Sequence, residues 1–241
     1  MFTGIIEAVG TLAATEKVGG DMRLEVSVGK LDMSDVGLGD SIANNGCCLT
    51  VVEMTPGSFK VDVSVETLNF TTLGDLDVGS PINLEKAMQA SARLGGHIVS
   101  GHVDGVGRVV SLEQDARSMR FRMRAPDSLA KYIAHKGSIC VDGTSLTVNA
   151  VDGAEFELNI IPQTMAETIF ATYQPGSRVN LEVDVIARYL ERLLQGRYLD
   201  RYFLLRVDVK VEALKTSRLM ATTYPMRPNL ERVRQIGRAH V

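Results

Sequence analysis

The sequence predicts a mainly β protein made of two similar small barrels or sandwiches, related by internal duplication, followed by an amphipathic C-terminal helix. Three observations carry this. A repeat recurs at a fixed offset of 97 residues, apolar residues alternate with period two inside each copy, and one stretch of helical periodicity follows the second copy. The segment GDSIANNGCCLTV (Gly39 to Val51) returns as KGSICVDGTSLTV (Lys136 to Val148). The same offset lays TGIIEAVG from Thr3 over SGHVDGVG from Ser100, ETLNFTT from Glu66 over QTMAETI from Gln163, and GSPINLE from Gly79 over GSRVNLE from Gly176. About 20 of 83 positions are identical without a gap. A unit of roughly 90 residues is the size of a small domain and too long for a solenoid repeat.

Each unit reads as strands. In SFKVDVSVE, Phe59, Val61, Val63 and Val65 alternate with Lys60, Asp62, Ser64 and Glu66; in SMRFRMR, Met119, Phe121 and Met123 alternate with arginines. TGIIEAVGTLAA, MRLEVSV, DSIANN, CLTVVEM, SFKVDVSV and SPINLEK give about six strands in the first copy, separated by Gly, Asn, Asp and Pro clusters. Leu84 to Gly96 reads as a helical turn and linker. In VDVIARYLERLLQG, Val185, Ile186, Tyr189, Leu190, Leu193 and Leu194 fall at helical spacing before the stop signal Gly196. That apolar stripe needs a cover, either its own barrel or another subunit. The expected divisions are a first barrel over 1–96, a second over 97–184, a helix over 185–196 and an atypical tail over 197–241.

Composition narrows the function classes. At 241 residues and 45% apolar, the chain can bury one large core or two small ones, and the repeat selects two. A formal charge of −3 offers no general field for nucleic acid. Cys47, Cys48 and Cys140 form an odd set without scaffold spacing, which suits a reducing compartment. The start MFTGIIEAVG has no basic leader, and no run reaches the roughly 18 to 20 apolar residues of a membrane span. A soluble cytoplasmic protein is expected. Residues 1–196 carry 16 Lys and Arg against 25 Asp and Glu, whereas 197–241 carry 10 against 4. That basic tail has no counterpart in the repeat and reads as a frameshift-derived or expression-derived extension.

Differences between matched positions show where the copies diverge. Cys47 and Cys48 match Thr144 and Ser145, Ile5 matches His102, and Asn45 matches Asp142, while Ser41 and Ser138, Thr50 and Thr147, and Thr67 and Thr164 are the same in both. Repeated hydroxyls beside Gly-rich turns suit hydrogen bonding to a polar heterocycle or polyol; ordinary turn and strand chemistry is the plainer reading. A metal site from Cys47, Cys48, His97 and His102 is disfavoured, because neighbouring strand residues face opposite ways and the histidines lack paired-ligand spacing. A Cys48–His102 nucleophilic pair requires the fold to join the two, and structural cysteine is commoner.

MFTGIIE, NNGCCLTV, ETL, LGDL, GGHIVSGHVDG and DGTSLTV, in this order and spacing, resemble the riboflavin synthase alpha-subunit family over about residues 1–195. The resemblance implies two six-stranded Greek-key barrels and a C-terminal helix through which homotrimers assemble. It implies dismutation of two 6,7-dimethyl-8-ribityllumazine molecules by transfer of a four-carbon unit, with no cofactor or metal. Each active site would lie between the N-barrel of one subunit and the C-barrel of a neighbour. The N-barrel pocket would use Ser41, Cys48, Leu49, Thr50, Asp62, Val63, Ser64, Val65, Glu66 and Thr67, with Gly101, His102 and Val103. Its C-barrel counterpart would use Lys136, Ser145, Leu146, Thr147, Ile161, Pro162, Gln163, Thr164, Met165 and Ala166, with Gly4, Ile5 and Ile6. Phe2 would help close the pocket, His102 would act as general acid/base, and Cys48 would attack or only hold substrate. A lumazine- or flavin-binding chromophore protein without synthesis shares the fold; the intact DGTSLTV and IIPQT favour the enzyme. A barrel serving only as an interaction module would bind no lumazine.

Overall fold

Period-two strands that bury one face each must find a closed surface or leave an edge, and here two sheets close on themselves. The computed structural model describes residues 1–195; the tail over 197–241 and the last residue of the expected helix lie outside the described residues. Strands β1 (Ala8–Val18), β2 (Asp21–Ser27), β3 (Ser41–Asn44), β4 (Cys47–Met54), β5 (Ser58–Val63) and β6 (Pro81–Lys86) form a closed barrel in the order β1-β2-β5-β4-β3-β6. β7 (Gly105–Asp115), β8 (Ser118–Arg124), β9 (Ser138–Val141), β10 (Thr144–Asp152), β11 (Glu155–Ile160) and β12 (Arg178–Val183) close a second ring with the equivalent order. All neighbours are antiparallel, and β5 returning to lie beside β2 after two hairpins makes the Greek key. Both barrels lie within one compact unit, Met1–Glu191.

The duplication extends to irregularities. Bulges between Leu12 and Ala14 and between Val51 and Glu53 recur between Val109 and Ser111 and between Val148 and Ala150, each 97 residues on. Bulges bend strands as small barrels require. Each barrel fills its own interior: Leu24, Val26, Phe59, Val61, Val63 and Leu84 in the first, and Phe121, Met123, Phe156, Leu158, Phe170 and Leu181 in the second, all at most 1% exposed.

Three local readings change. Thr3–Glu7 is not the start of a strand but a strap: the buried Glu85 carboxylate accepts hydrogen bonds from the Thr3 and Gly4 amides, at 2.6 and 3.0 Å, which holds this backbone off the sheet. β5 stops at Val63, because the Ser64 side chain accepts from the Thr67 amide and caps α1 (Val65–Phe70), leaving Val65 exposed. The second copy does the same with Pro162 opening α2 (Pro162–Glu167). Finally, Leu84–Lys86 belong to β6, so the expected turn and linker begins only after it, with the Ala92 amide donating to the Gln89 carbonyl.

The barrels meet through a reciprocal amide network. Asn83 donates its side-chain amide to the Asp142 carbonyl (2.8 Å) and accepts from the Ile169 amide (2.9 Å); Asn180 donates to the Asn45 carbonyl (2.9 Å) and accepts from the Thr72 amide (2.7 Å). Matched residues thus exchange matched bonds across a pseudo-twofold axis. Helix α3 (Val185–Gln195) follows β12. Its polar residues Arg188 and Glu191 bind Asp104, and Lys131 and Tyr132, on the second barrel. Ile186, Tyr189, Leu190, Leu193 and Leu194 remain between 46% and 70% exposed. Among the described residues no helix is long and apolar enough to cross a membrane.

Candidate functional site

The strap before each barrel leans on the other barrel. Glu85 holds Thr3 and Gly4, and its match Glu182 accepts from the amides of Ser100, Gly101 and His102 at 2.6, 2.9 and 3.0 Å. Burial pushes both carboxyls above the usual range, although these donors favour the ionised form. The carbonyl of Gly101 accepts from the Cys48 amide (2.8 Å), and that of Gly4 accepts from the Ser145 amide (2.7 Å). Only glycine fits such an approach. Gly101 sits at φ +80°, where a Cβ would lie 2.6 Å from that of Cys48; Gly4 sits at φ +75°, with the same clearance to Ser145.

Against the first barrel this arrangement leaves a cavity of about 380 Å3, walled by Cys48, Glu66, Thr67, Phe70, Thr71 and His102, with Cys47, Gly101 and Val103. The volume lies in the range of about 300–1,000 Å3 usual for small-molecule sites. Cys47 and Cys48 face opposite ways, as strand alternation demands: Cys47 packs in the barrel core, whereas Cys48 packs against Phe2, Ala43, Val99 and Cys140 outside it. Burial pushes the Cys47 thiol up to about 12, which keeps it protonated. Phe2 is fully buried and bridges to Val99 as a two-stranded clasp. No hydrogen bond joins Cys48 to His102 among the described residues, and none of these side chains belongs to a group placed to hold a metal ion.

Several expected residues lie away from this cavity. Leu49 and Val63 point into the barrel, while Thr50 is exposed opposite the half-buried Ser41. Asp62 faces outward in an ion pair with Arg23 at 2.6 Å, and Ser64 and Val65 open α1. In the second copy, Lys136 reaches Asn149 at 3.2 Å and Thr147 stands exposed opposite Ser138. Leu146 and Met165 pack on the core. Ile161, Pro162, Gln163, Thr164 and Ala166 lie in the cap and turns of α2. Gly4 itself makes the Ser145 strap contact, Ile6 lies beside Gly143, and Ile5 faces a separate cavity of about 420 Å3 beside Met88, Arg93 and Gly95.

Cys47, Phe70 and Thr71 wall the cavity without being among the expected substrate contacts, and His97 has a place other than the disfavoured metal site. The His97 Nδ1 lies 2.6 Å from Ser145 Oγ, and burial lowers its proton affinity against the pull of Asp184. His97 Nε2 and Thr144 Oγ1 are buried and have no hydrogen-bond partner among the described residues. The identity of Thr71 with Thr168, and of Glu85 with Glu182, was the available signal.

The lumazine binding domain model matches twice, over residues 3–87 and 100–184, the same 97-residue offset. Riboflavin synthase of Photobacterium phosphoreum is 52% identical over 194 residues, covering 80% of this chain and 89% of that protein. The chain belongs to the riboflavin synthase family. Other riboflavin synthase relatives include that of Bacillus subtilis, 46% identical over 80% of this chain and 90% of its own length, and that of Mycobacterium tuberculosis strain H37Rv, 48% identical over 81% and 99%. A crystal structure of LumP complexed with riboflavin matches with a TM-score of 0.71 at 26% identity, covering 76% of this chain and 99% of that one. LumP complexed with 6,7-dimethyl-8-(1'-D-ribityl) lumazine matches at 0.69 and 25%, with the same coverage. The riboflavin synthase relatives and the LumP fold thus meet in one duplicated barrel.

Proposed function

We propose that the chain is a riboflavin synthase. It passes a four-carbon unit from one 6,7-dimethyl-8-ribityllumazine to another, releasing riboflavin and 5-amino-6-ribitylamino-uracil. The observation that carries this reading is the intact duplication: the family model spans both copies, and relatives at 45–52% identity over four fifths of the chain are riboflavin synthases. A reaction between two molecules of one compound uses two similar sites. Fixing two stacked substrates converts a bimolecular encounter into an effectively unimolecular one, worth roughly 7–11 kcal/mol in favourable cases.

The cavity holding Cys48, Thr67 and His102 takes one lumazine. The region of Ser145, Thr147, Lys136 and the α2 turn takes the other, with His97 Nε2 and Thr144 Oγ1 offering unspent hydrogen-bonding capacity beside it. The C7 methyl of a bound lumazine must lose a proton, and the anion spreads into the ring. His102, on a strap fixed by Glu182, is the general acid/base, and Cys48 binds or attacks the second ring. Exposed Ile186, Tyr189 and Leu190 support homotrimer assembly, which brings the N-barrel of one subunit to the C-barrel of the next. Three free thiols suit a reducing, cytoplasmic setting.

The test is to supply the dimethyl ribityl lumazine alone and follow riboflavin by absorbance and fluorescence. Turnover is expected. Tight binding without turnover would indicate a chromophore carrier, and neither would exclude both. His102→Ala is expected to lower kcat about 100-fold or more with unchanged circular dichroism. Full turnover in both His102→Ala and Cys48→Ala would remove their assigned roles.

A further inference from the structure

The outer wall of the second barrel carries three arginines in one row. β12 places Arg178 opposite Arg108 on β7, and β7 places Arg108 opposite Arg124 on β8. Strand alternation turns all three outward, with Val109, Met123 and Val179 buried beside them. Like charges directly opposite in a sheet are destabilising, so this row is one the fold itself does not favour. Nor does the barrel require it. The first copy has Thr11, Ser27 and Pro81 at the matched positions.

The three side chains line a cavity of about 440 Å3 together with Val106, Pro126 and Asp127. The outer two have acidic partners: Arg124 lies 2.8 Å from Asp127 and 3.7 Å from Glu155, and Arg178 pairs with Asp75. Arg108, the middle one, has no carboxylate within 4.0 Å among the described residues. Arg108 thus presents a guanidinium without a carboxylate partner among the described residues, between two whose charge is already shared with Asp127, Glu155 and Asp75. Guanidinium forks match the oxygens of phosphate in paired hydrogen bonds.

We propose that this cavity is an accessory binding site for a phosphate group, free or esterified, in which Arg108 makes the central contact and Arg124 and Arg178 close from the flanks. The site shares no lining residue with the Cys48–His102 cavity and takes no part in its chemistry. A bound phosphate gives Arg108 the anionic partner it lacks among the described residues, which gives binding its driving force.

The test is calorimetric titration of the full chain with orthophosphate and, separately, with glycerol phosphate, at ionic strength held constant with chloride. Saturable binding of one equivalent per chain is expected for at least one, and the tighter of the two tells whether the natural group is free or esterified. Arg108→Thr, which installs the side chain the first barrel carries at this place, is expected to weaken that binding about tenfold or more while leaving lumazine turnover unchanged. Saturable binding of neither compound, or equal affinity in the parent and Arg108→Thr, would overturn the proposal.

Discussion

Asn45 and Asp142 occupy the same place in the two copies, both at positive φ, yet only Asp142 titrates. Asp142 Oδ1 accepts from the Asn180 amide at 2.8 Å, as Asn45 Oδ1 accepts from Asn83; its second oxygen takes the Tyr173 hydroxyl, where the first copy has Leu76. Burial lifts its carboxyl to about 7 despite these donors. An unfolded aspartate ionises near pH 3.9. Between about pH 4 and 7 the folded protein therefore keeps a proton that the unfolded chain has lost, and this group's contribution falls as pH rises through that window. Asp142→Asn keeps the amide acceptor and removes the titration. The melting temperature of Asp142→Asn minus that of the parent is expected to grow from pH 4 to 7 and then level off. Glu85 and Glu182 shift in the same direction but cancel in the difference. A difference that stays constant across this range would refute the assignment.

Among the elements, α3 is tied to its barrel by polar side chains and shows its apolar face outward, the reverse of a helix packing on its own core. Putting glutamate at Tyr189 and Leu190 together is expected to lower the sedimenting mass of the proposed homotrimer to that of a monomer while the β-sheet circular dichroism stays the same; a mass unchanged from the parent would mean that assembly does not run through this face. The helix was legible from spacing alone, as were the strands, because Phe59, Val61 and Val63 alternate and the offset copies them. Two kinds of element escaped. Ile5 and Ile6 read as strand, since only the distant Glu85 tells the backbone to leave the sheet. α1 and α2, at six residues each, are too short for a 3.6-residue period to declare itself, although Ser64 and Pro162 were local marks of their starts. In the candidate site, Cys48 and His102 lie 54 positions apart, and nothing in their spacing says that they share a cavity. Phe70 and Thr71 entered it only because β5 ends early and α1 turns the chain back.

At the scale of the whole molecule, two sites of similar build and unequal residues make a division of labour between subunits testable. Mixing His102→Ala with Lys136→Ala, after dissociation and reassembly, is expected to restore roughly a quarter of parental turnover if each site joins the N-barrel of one subunit to the C-barrel of another. Mixtures no more active than their components would place each working pair within one chain. The reciprocal straps carry a consequence of a different kind. Thr3–Ile6 precedes the first barrel in the gene but rests on Ser145 of the second, and Ser100–Val103 precedes the second but walls the cavity of the first. A mutation in either leader is therefore inherited as a change in the sister copy. The two copies can diverge in residue type, as most matched positions have, but an insertion in or loss of either leader would also disturb the wall of its twin.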